Sequence, residues 1–195
     1  TVTLIACVEK AMRELNSKNT RILIHTSSVK VANYIFVELI NCISKDIIRE
    51  TIKNRLTIVT MYGIIKVDIL SNLQYCHVRT GGDALAIKEN LIREITNEYD
   101  IIAIDNSSSS SLVDMLLDAP CNDIIAAGHC PEDENNAFYK AWCSAYYGDN
   151  PNTKTFKLKT WDNPAMAERK EEQEPRLLKR MTLERYIRDY YATFI

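Results

Sequence analysis

The apolar run at residues 101–104 ends in a carboxylate, Asp105. A short uncharged run rich in β-branched side chains predicts a buried strand of a parallel sheet. α/β folds keep their ligand sites at the carboxyl ends of such strands. A carboxylate at that place is a typical Mg²⁺ ligand in phosphoryl transfer. A core strand that ends in a solvated aspartate is the alternative interpretation.

A second strand is predicted at residues 123–127, and it ends at Gly128 and His129. Gly128 allows close approach of the backbone to a ligand, because it has no side chain. We expect this pair to sense a terminal phosphate beside Asp105. For His129, capping of the following turn is the alternative.

The first residues, Thr1, Val2 and Thr3, open a helical pattern of apolar side chains that extends to about residue 15. A threonine hydroxyl at the start of a helix binds Mg²⁺ when it follows the Gly-Lys of a P-loop. Those glycines and that lysine are absent here, so a plain helix N-cap is the alternative for Thr1. A helix that begins on the first residue, without a methionine, predicts a fragment of a longer chain.

The rest of the sequence alternates between the two periodicities. Strands are predicted at residues 21–26, 56–60, 64–70, 75–78 and 155–160, and helices at 29–43, 46–54, 84–97, 112–117, 137–147 and from residue 166 onward. This alternation predicts an α/β fold with a mostly parallel sheet flanked by helices. The turn at residues 61–63 adds one small antiparallel hairpin.

The composition is that of an ordinary globular protein: 195 residues, 46% hydrophobic and 26% charged. A net charge of −2 gives no global attraction to nucleic acid. The sequence contains no apolar run of the roughly 20 residues that cross a bilayer. The six cysteines include no CxxC pair, and we interpret them as buried free thiols, with disulfides or zinc as the alternatives.

Three further groups have a structural and a functional interpretation. The aromatic residues at 142, 146 and 147 are expected in the core, with base stacking as the alternative. The cations between residues 176 and 188 alternate with glutamates, which favours a solvated helix face. His25 and His77 are interpreted as structural.

In this order the pieces resemble the ATPase domain of the large terminase subunit, the DNA-packaging motor of tailed phages and related viruses. The resemblance starts at Thr1 as the P-loop threonine and includes the loop Arg79–Gly82 and the Walker B run that ends at Asp105. Its most specific parts are the segment from Asp123 to Trp142, with Asn-x-Phe-Tyr-x-x-Trp, and the Thr-Trp-Asp-Asn-Pro segment at residues 160–164, which resembles a Trp-x-x-Asn-Pro segment of this family.

The resemblance implies a three-layer, P-loop NTPase-like core at residues 1–165, truncated at its start, and a helical segment at 166–195 that leads to an absent downstream nuclease domain. It implies ATP and Mg²⁺ as cofactors, with Asp105 and Thr1 as metal ligands and Gly128 and His129 at the γ-phosphate. Arg79 is a candidate for stabilising phosphate charge. The implied partners are double-stranded DNA, a portal, a small terminase subunit and further copies in a ring, within the infected cell and without a membrane.

Asn106 stands where this family carries its catalytic glutamate. An amide can hydrogen-bond water but cannot act as a base at neutral pH. Three interpretations stay open: ATP hydrolysis is slow, another acid such as Asp83 or Asp114 substitutes, or the chain is a degenerate homologue. A superfamily 1 helicase core and a binding or scaffold domain without catalysis are the alternative functions.

Overall fold

The computed structural model describes residues 5–6, 10, 19–52, 55–60, 63–71, 98–105, 113, 116–131, 133–149 and 151–193. The chain forms two compact units, Thr1–Gly128 and His129–Ile195. The predicted division into a P-loop NTPase-like core at residues 1–165 and a helical segment at residues 166–195 stays a prediction.

The first unit is built on a six-stranded sheet in the order β2-β3-β4-β1-β5-β6. Its strands are β1 (Asn19–Thr26), β2 (Ile48–Ile52), β3 (Arg55–Thr60), β4 (Gly63–Ser71), β5 (Ile101–Asp105) and β6 (Asp123–Ala127). β4, β1, β5 and β6 pair in parallel, whereas β2, β3 and β4 pair antiparallel. The predicted mostly parallel sheet with a small antiparallel hairpin is confirmed.

One face of the sheet is covered by helix α1 (Val29–Cys42). Ser28 caps this helix, as its sequence predicts, because its side chain accepts a 3.3 Å hydrogen bond from the Val31 amide. The helix buries Ile35 and Leu39 against strand residues that include Ile22, Ile24, Val67 and Ile69. A second buried cluster, on the opposite face, joins strand residues to helical residues: Leu23, Tyr99, Ile102, Ile104, Val113 and Leu116. The strands therefore have apolar side chains on both faces.

The second unit contains helices α2 (Ala137–Tyr146), α3 (Pro164–Ala167), α4 (Lys170–Leu178) and α5 (Leu183–Tyr191). Its buried aromatic centre is formed by Trp161 and Tyr186. The Trp161 indole donates a 3.2 Å hydrogen bond to the Tyr186 hydroxyl, which donates a 2.6 Å bond to Glu174. Tyr190 stacks on both rings. The aromatic side chains of α5 therefore pack around Trp161, and the polar atoms of Trp161 and Tyr186 are paired within the unit.

The helix predicted at residues 46–54 is wrong over its described part. Residues 45–47 form a single 3-10 turn, and β2 follows at once. β-branched residues such as Ile48, Thr51 and Ile52 favour a strand, and β3 offers the antiparallel partner. Pairing with a neighbour outweighed a weak local helical pattern.

The strand predicted at residues 155–160 is also wrong. Residues 153–159 have no regular secondary structure, and Thr160–Asp162 form a 3-10 turn. Phe156 and Leu158 are 81% and 61% exposed. The alternating pattern is present, but among the described residues it finds no strand partner, and an extended chain becomes a strand only by pairing.

The strand, loop and helix predicted across residues 75–97 lie outside the described residues. The expected helix at the start of the chain is seen at Ile5, Ala6 and Lys10, and that at 112–117 is seen at Val113, Leu116 and Leu117. Within the described ranges, every helix is too short or too polar to cross a membrane.

Candidate functional site

The candidate site lies at the carboxyl ends of the parallel strands. Every residue of β5 is buried, and Asp105 at its end is only 4% exposed. Asp105 pairs in register with Ala127 of β6, and the preceding Ile104 pairs with His25 of β1. The strand that delivers an acid to this edge is therefore confirmed, and the acid is buried rather than solvated.

Two hydroxyls lie at the same edge of the sheet. Thr26 ends β1 and Ser71 ends β4; the two residues are register partners and both are fully buried. The Thr26 hydroxyl donates a 3.0 Å hydrogen bond to the Ser28 carbonyl, which fixes the turn into α1. Sequence reasoning assigned neither hydroxyl to the site, although both are polar residues that directly end an apolar run.

These groups match the chemistry of a hard cation. Mg²⁺ prefers oxygen ligands and is commonly held by one or two carboxylates together with phosphate oxygens and water. Asp105 supplies one carboxylate at an edge that also carries hydroxyl groups. Asp105 therefore offers the kind of ligand that Mg²⁺ prefers, whereas Thr1, the other metal ligand expected from the sequence, lies outside the described residues.

Gly128 follows the register partner of Asp105 by one residue, so it lies at the same edge of the first unit. Among the described glycines, Gly63 and Gly148 have a positive φ and Gly128 does not. The backbone conformation at position 128 therefore does not require a glycine. Its lack of a side chain leaves the backbone exposed. His129, the first residue of the second unit, is exposed as well.

The other predicted site residues, Thr1, Arg79 and Asn106, lie outside the described residues, as do Asp83 and Asp114. Their roles stay predictions.

The aromatic group on α2 is not in the core as expected. Trp142 is half-buried and stacks on Tyr146 with a 4.7 Å centroid distance, but Tyr146 and Tyr147 are 62% and 75% exposed. Tyr147 is the C-cap of the helix, so its ring projects from the last turn instead of from the packed face. Helical spacing alone cannot identify such a terminal position.

The basic cluster is a solvated face, as expected, except at Arg188, which is half-buried. Arg176 pairs with Glu172 at 3.1 Å, and Arg185 pairs with Asp189 at 3.3 Å, both at i,i+4 spacing. His25 is buried, in agreement with a structural role, and His77 lies outside the described residues.

The four described cysteines (Cys42, Cys121, Cys130 and Cys143) are free. Cys42 is exposed, which corrects the expectation of a buried thiol, because it sits at the solvated end of α1. Burial raises the pKa of the Cys130 thiol. Cys7 and Cys76 lie outside the described residues.

A charge network around the buried Asp68, in the middle of β4, was missed by sequence reasoning. Asp68 accepts hydrogen bonds from Arg55 at 2.5 Å and from the Tyr99 hydroxyl at 2.9 Å, and lies 3.5 Å from Arg21. Arg21 also pairs with Glu98. Burial, followed by the charge of Asp68, raises the pKa of Tyr99 well above its usual range.

The contact between Arg55 and Asp68 can be predicted from the register of the β3–β4 hairpin. With Thr60 opposite Gly63, Arg55 must lie opposite Asp68. The hydrogen bond to Asp68 raises the pKa of the Arg55 guanidinium. Tyr99 and Arg21 reach Asp68 from other strands and loops, so those contacts depend on the tertiary fold.

No protein-family model and no curated protein matches the sequence. Solved structures do. The large terminase ATPase domain of Thermus phage P74-26 aligns with a TM-score of 0.64 and 14% identity, over 97% of this chain and 82% of that one. The large terminase of bacteriophage HK97 aligns with a TM-score of 0.58 and 15% identity, over 90% of this chain. The large terminase of a thermophilic bacteriophage aligns with a TM-score of 0.51 and 15% identity, over 76% of this chain.

The chain spans 40% of the HK97 protein and 35% of the thermophilic bacteriophage protein. Identities of this size establish the fold and not the activity. The predicted resemblance is confirmed at that level: the chain has the P-loop NTPase-like fold of phage large terminase ATPase domains.

Proposed function

We propose that this chain is the ATPase domain of a motor that moves double-stranded DNA, as in a viral packaging terminase. The observation that carries the proposal is the buried Asp105 at the carboxyl end of a central parallel strand, within the fold of large terminase ATPase domains. Asp105 and the hydroxyl of Thr1 would hold Mg²⁺, which would neutralise charge on the phosphate oxygens during phosphoryl transfer.

The phosphate cradle is proposed to come from residues that precede Thr1 in the complete protein. A P-loop consists of a strand, the glycine-rich loop with its lysine, and a helix, so it brings a further strand to the sheet. Among the described strands, β6 is a parallel edge strand with half-buried apolar residues, Ile124 to Ala127. A parallel strand added there ends beside Gly128 and close to Asp105, which supports the proposal.

The remaining roles follow from the same placement. Asn106 orients the attacking water by hydrogen bonding, without removing its proton. Arg79 stabilises phosphate charge. Gly128 and His129 sense the γ-phosphate, and they join the two units of the chain, so a shift there reaches the helix that follows.

In this proposal the assembled motor is a homo-oligomeric ring in the infected cell. The ring contacts a portal and a small terminase subunit.

The test uses the complete protein and compares Asp105→Asn with Asp123→Asn. Both changes replace a carboxylate by an amide, but Asp123 is exposed at the opposite end of the neighbouring strand. We expect Asp105→Asn to abolish Mg²⁺-dependent ATP binding or hydrolysis and Asp123→Asn to leave it intact. Equal behaviour of the two variants, with Mg²⁺-dependent binding preserved, would remove Asp105 from the site.

A second experiment tests position 106. Asn106→Glu in the complete protein supplies a positioned base, whose contribution is typically about 10²- to 10⁴-fold. We expect a rise of that order in the hydrolysis rate, measured as phosphate release. An unchanged rate, with ATP still bound, would refute the role of position 106.

One observation favours a second candidate, a binding or scaffold domain that kept the fold and lost catalysis. Asn106 stands where the resembled family carries a glutamate, and an amide offers no base at neutral pH. This candidate predicts no hydrolysis in either the natural protein or Asn106→Glu, and no nucleotide dependence of DNA binding.

A further inference from the structure

The face of β2, β3 and β4 that points away from α1 carries a group of charges. Side chains alternate along these strands, so Thr57 and Lys66 point away from the core residues Leu56, Ile65 and Val67. Thr57 is the register partner of both Glu50 and Lys66. Glu50, Thr57 and Lys66 therefore form one row across the three strands.

Four cations lie on or beside this face, and two of them are neutralised. Arg21 and Arg55 are held by Asp68 and Glu98 in the buried network. Arg49 and Lys66, in contrast, form no ion pair with any residue in the described part of the chain, and both are exposed. Their charge is available to a ligand.

A β-bulge brings Arg49 to the same place. On β2 the register shifts between Ile48 and Glu50, because Ile48 pairs with Ile58 while Glu50 pairs with Thr57. Arg49 is the inserted residue, and bulges re-aim side chains in this way, often beside functional sites. An open cavity of about 520 Å³ on this face is lined by Arg49, Glu50, Thr57, Ile64 and Lys66.

This cavity is distinct from the Asp105 edge. Leu70 of β4 lies level with Ile104 of β5, because both are register partners of His25 in β1. Lys66 lies four residues before Leu70 on β4, away from the edge at Asp105. Four residues along a strand correspond to about 13 Å, and β1 separates β4 from β5. A ligand in the cavity therefore uses different contacts from a nucleotide at Asp105.

We propose that Arg49 and Lys66 form a second binding site, for a phosphate group of a nucleic-acid backbone or of a free phosphate ester. Arginine offers a planar fork that matches two phosphate oxygens, and lysine adds a mobile point charge. The hydroxyl of Thr57 lines the same cavity as a further hydrogen-bond group. Glu50 repels an anion, but two cations against one carboxylate leave one net positive charge. The site does not depend on ATP binding at Asp105.

The test measures binding of two probes, inorganic phosphate by NMR titration and a short DNA duplex of random sequence by fluorescence anisotropy. The variants are Arg49→Gln, Lys66→Gln and their combination, with Lys30→Gln as the matched control. Lys30 is an exposed cation on α1, which covers the other face. These side chains are exposed, so the variants are expected to fold, and circular dichroism checks this.

Each single change should weaken binding by about two- to fivefold, as expected for exposed ionic contacts. Glu50→Gln should strengthen it by a similar factor, because it removes a repulsive charge. With duplex DNA, each lost phosphate contact should also reduce the slope of log affinity against log salt by about 1.

The two probes distinguish the sources of the phosphate. A loss confined to inorganic phosphate assigns the site to a free phosphate ester. A loss with duplex DNA and a shallower salt slope assign it to a nucleic-acid backbone. Arg49→Gln and Lys66→Gln variants that bind both probes as Lys30→Gln does would overturn the proposal, whether or not the complete protein hydrolyses ATP.

Discussion

Replacing Asp68 by alanine should destabilise the first unit by about 2 to 4 kcal/mol. The Asp68 side chain is 5% exposed and receives the Tyr99 hydroxyl at 2.9 Å in a buried bond. Loss of a buried hydrogen bond to a charged group costs about 1.5–3 kcal/mol. The Arg21 and Arg55 side chains are 35% and 60% exposed, so each ionic contact adds only about 0–1 kcal/mol after solvent screening.

Asp68→Asn should cost less, about 1–2 kcal/mol, because the amide oxygen still accepts a hydrogen bond from Tyr99. The difference in the free energy of unfolding between Asp68→Ala and Asp68→Asn therefore separates the loss of the buried acceptor from the loss of charge. Asp123→Ala is the control, since it removes an exposed aspartate from the same sheet.

The assay is urea unfolding, followed by far-UV circular dichroism and by hydrogen exchange of the β1 and β4 amides. Both tryptophans, Trp142 and Trp161, lie in the second unit, so their fluorescence does not report directly on this sheet. A loss below about 0.5 kcal/mol for Asp68→Ala, the range of ordinary surface substitutions, would refute the argument that the network is a buried one.

Three further predictions concern stability. Folding raises the pKa of Tyr99 above the ordinary value of 10.0 that it has in the unfolded chain. The contribution of Tyr99 to stability is therefore complete below pH 10, and the free energy of unfolding, measured by urea titration, should fall as the pH rises above that value. The fall should be smaller in Tyr99→Phe. Tyr186→Phe removes the acceptor of Trp161 and should cost about 1–3 kcal/mol, measured by tryptophan fluorescence during unfolding; an unchanged midpoint would contradict it. Ser28→Ala should cost about 0.5–2 kcal/mol by circular dichroism, with Ser27→Ala near neutral.

The parallel strands were predictable because their signal is local. β5 and β6 are short β-branched runs, and β6 was predicted at its observed bounds. Since parallel strands end at one edge, the proximity of Asp105 and Gly128 followed from the sequence as well. Their register, Asp105 opposite Ala127, required the structure.

The failures occur where pairing with a distant segment decides the conformation. Residues 48–52 become a strand because β3 lies beside them, whereas residues 155–159 stay unpaired within the described chain despite a clear alternation. The Asp68 network and the cavity at Arg49 depend on the hairpin register and on a bulge. Neither leaves a residue pattern that a single sequence reveals.

The unpaired segment at residues 153–159 has a consequence for solubility. Phe156 and Leu158 are exposed on backbone that forms no strand, and such apolar segments can pair edge to edge between separate molecules. Lys154, Lys157 and Lys159 act as gatekeepers, because stacking the segment on its own copy in register sets ammonium groups opposite one another. Salt screens that repulsion, so we expect a higher ionic strength to lower the concentration at which this chain self-associates.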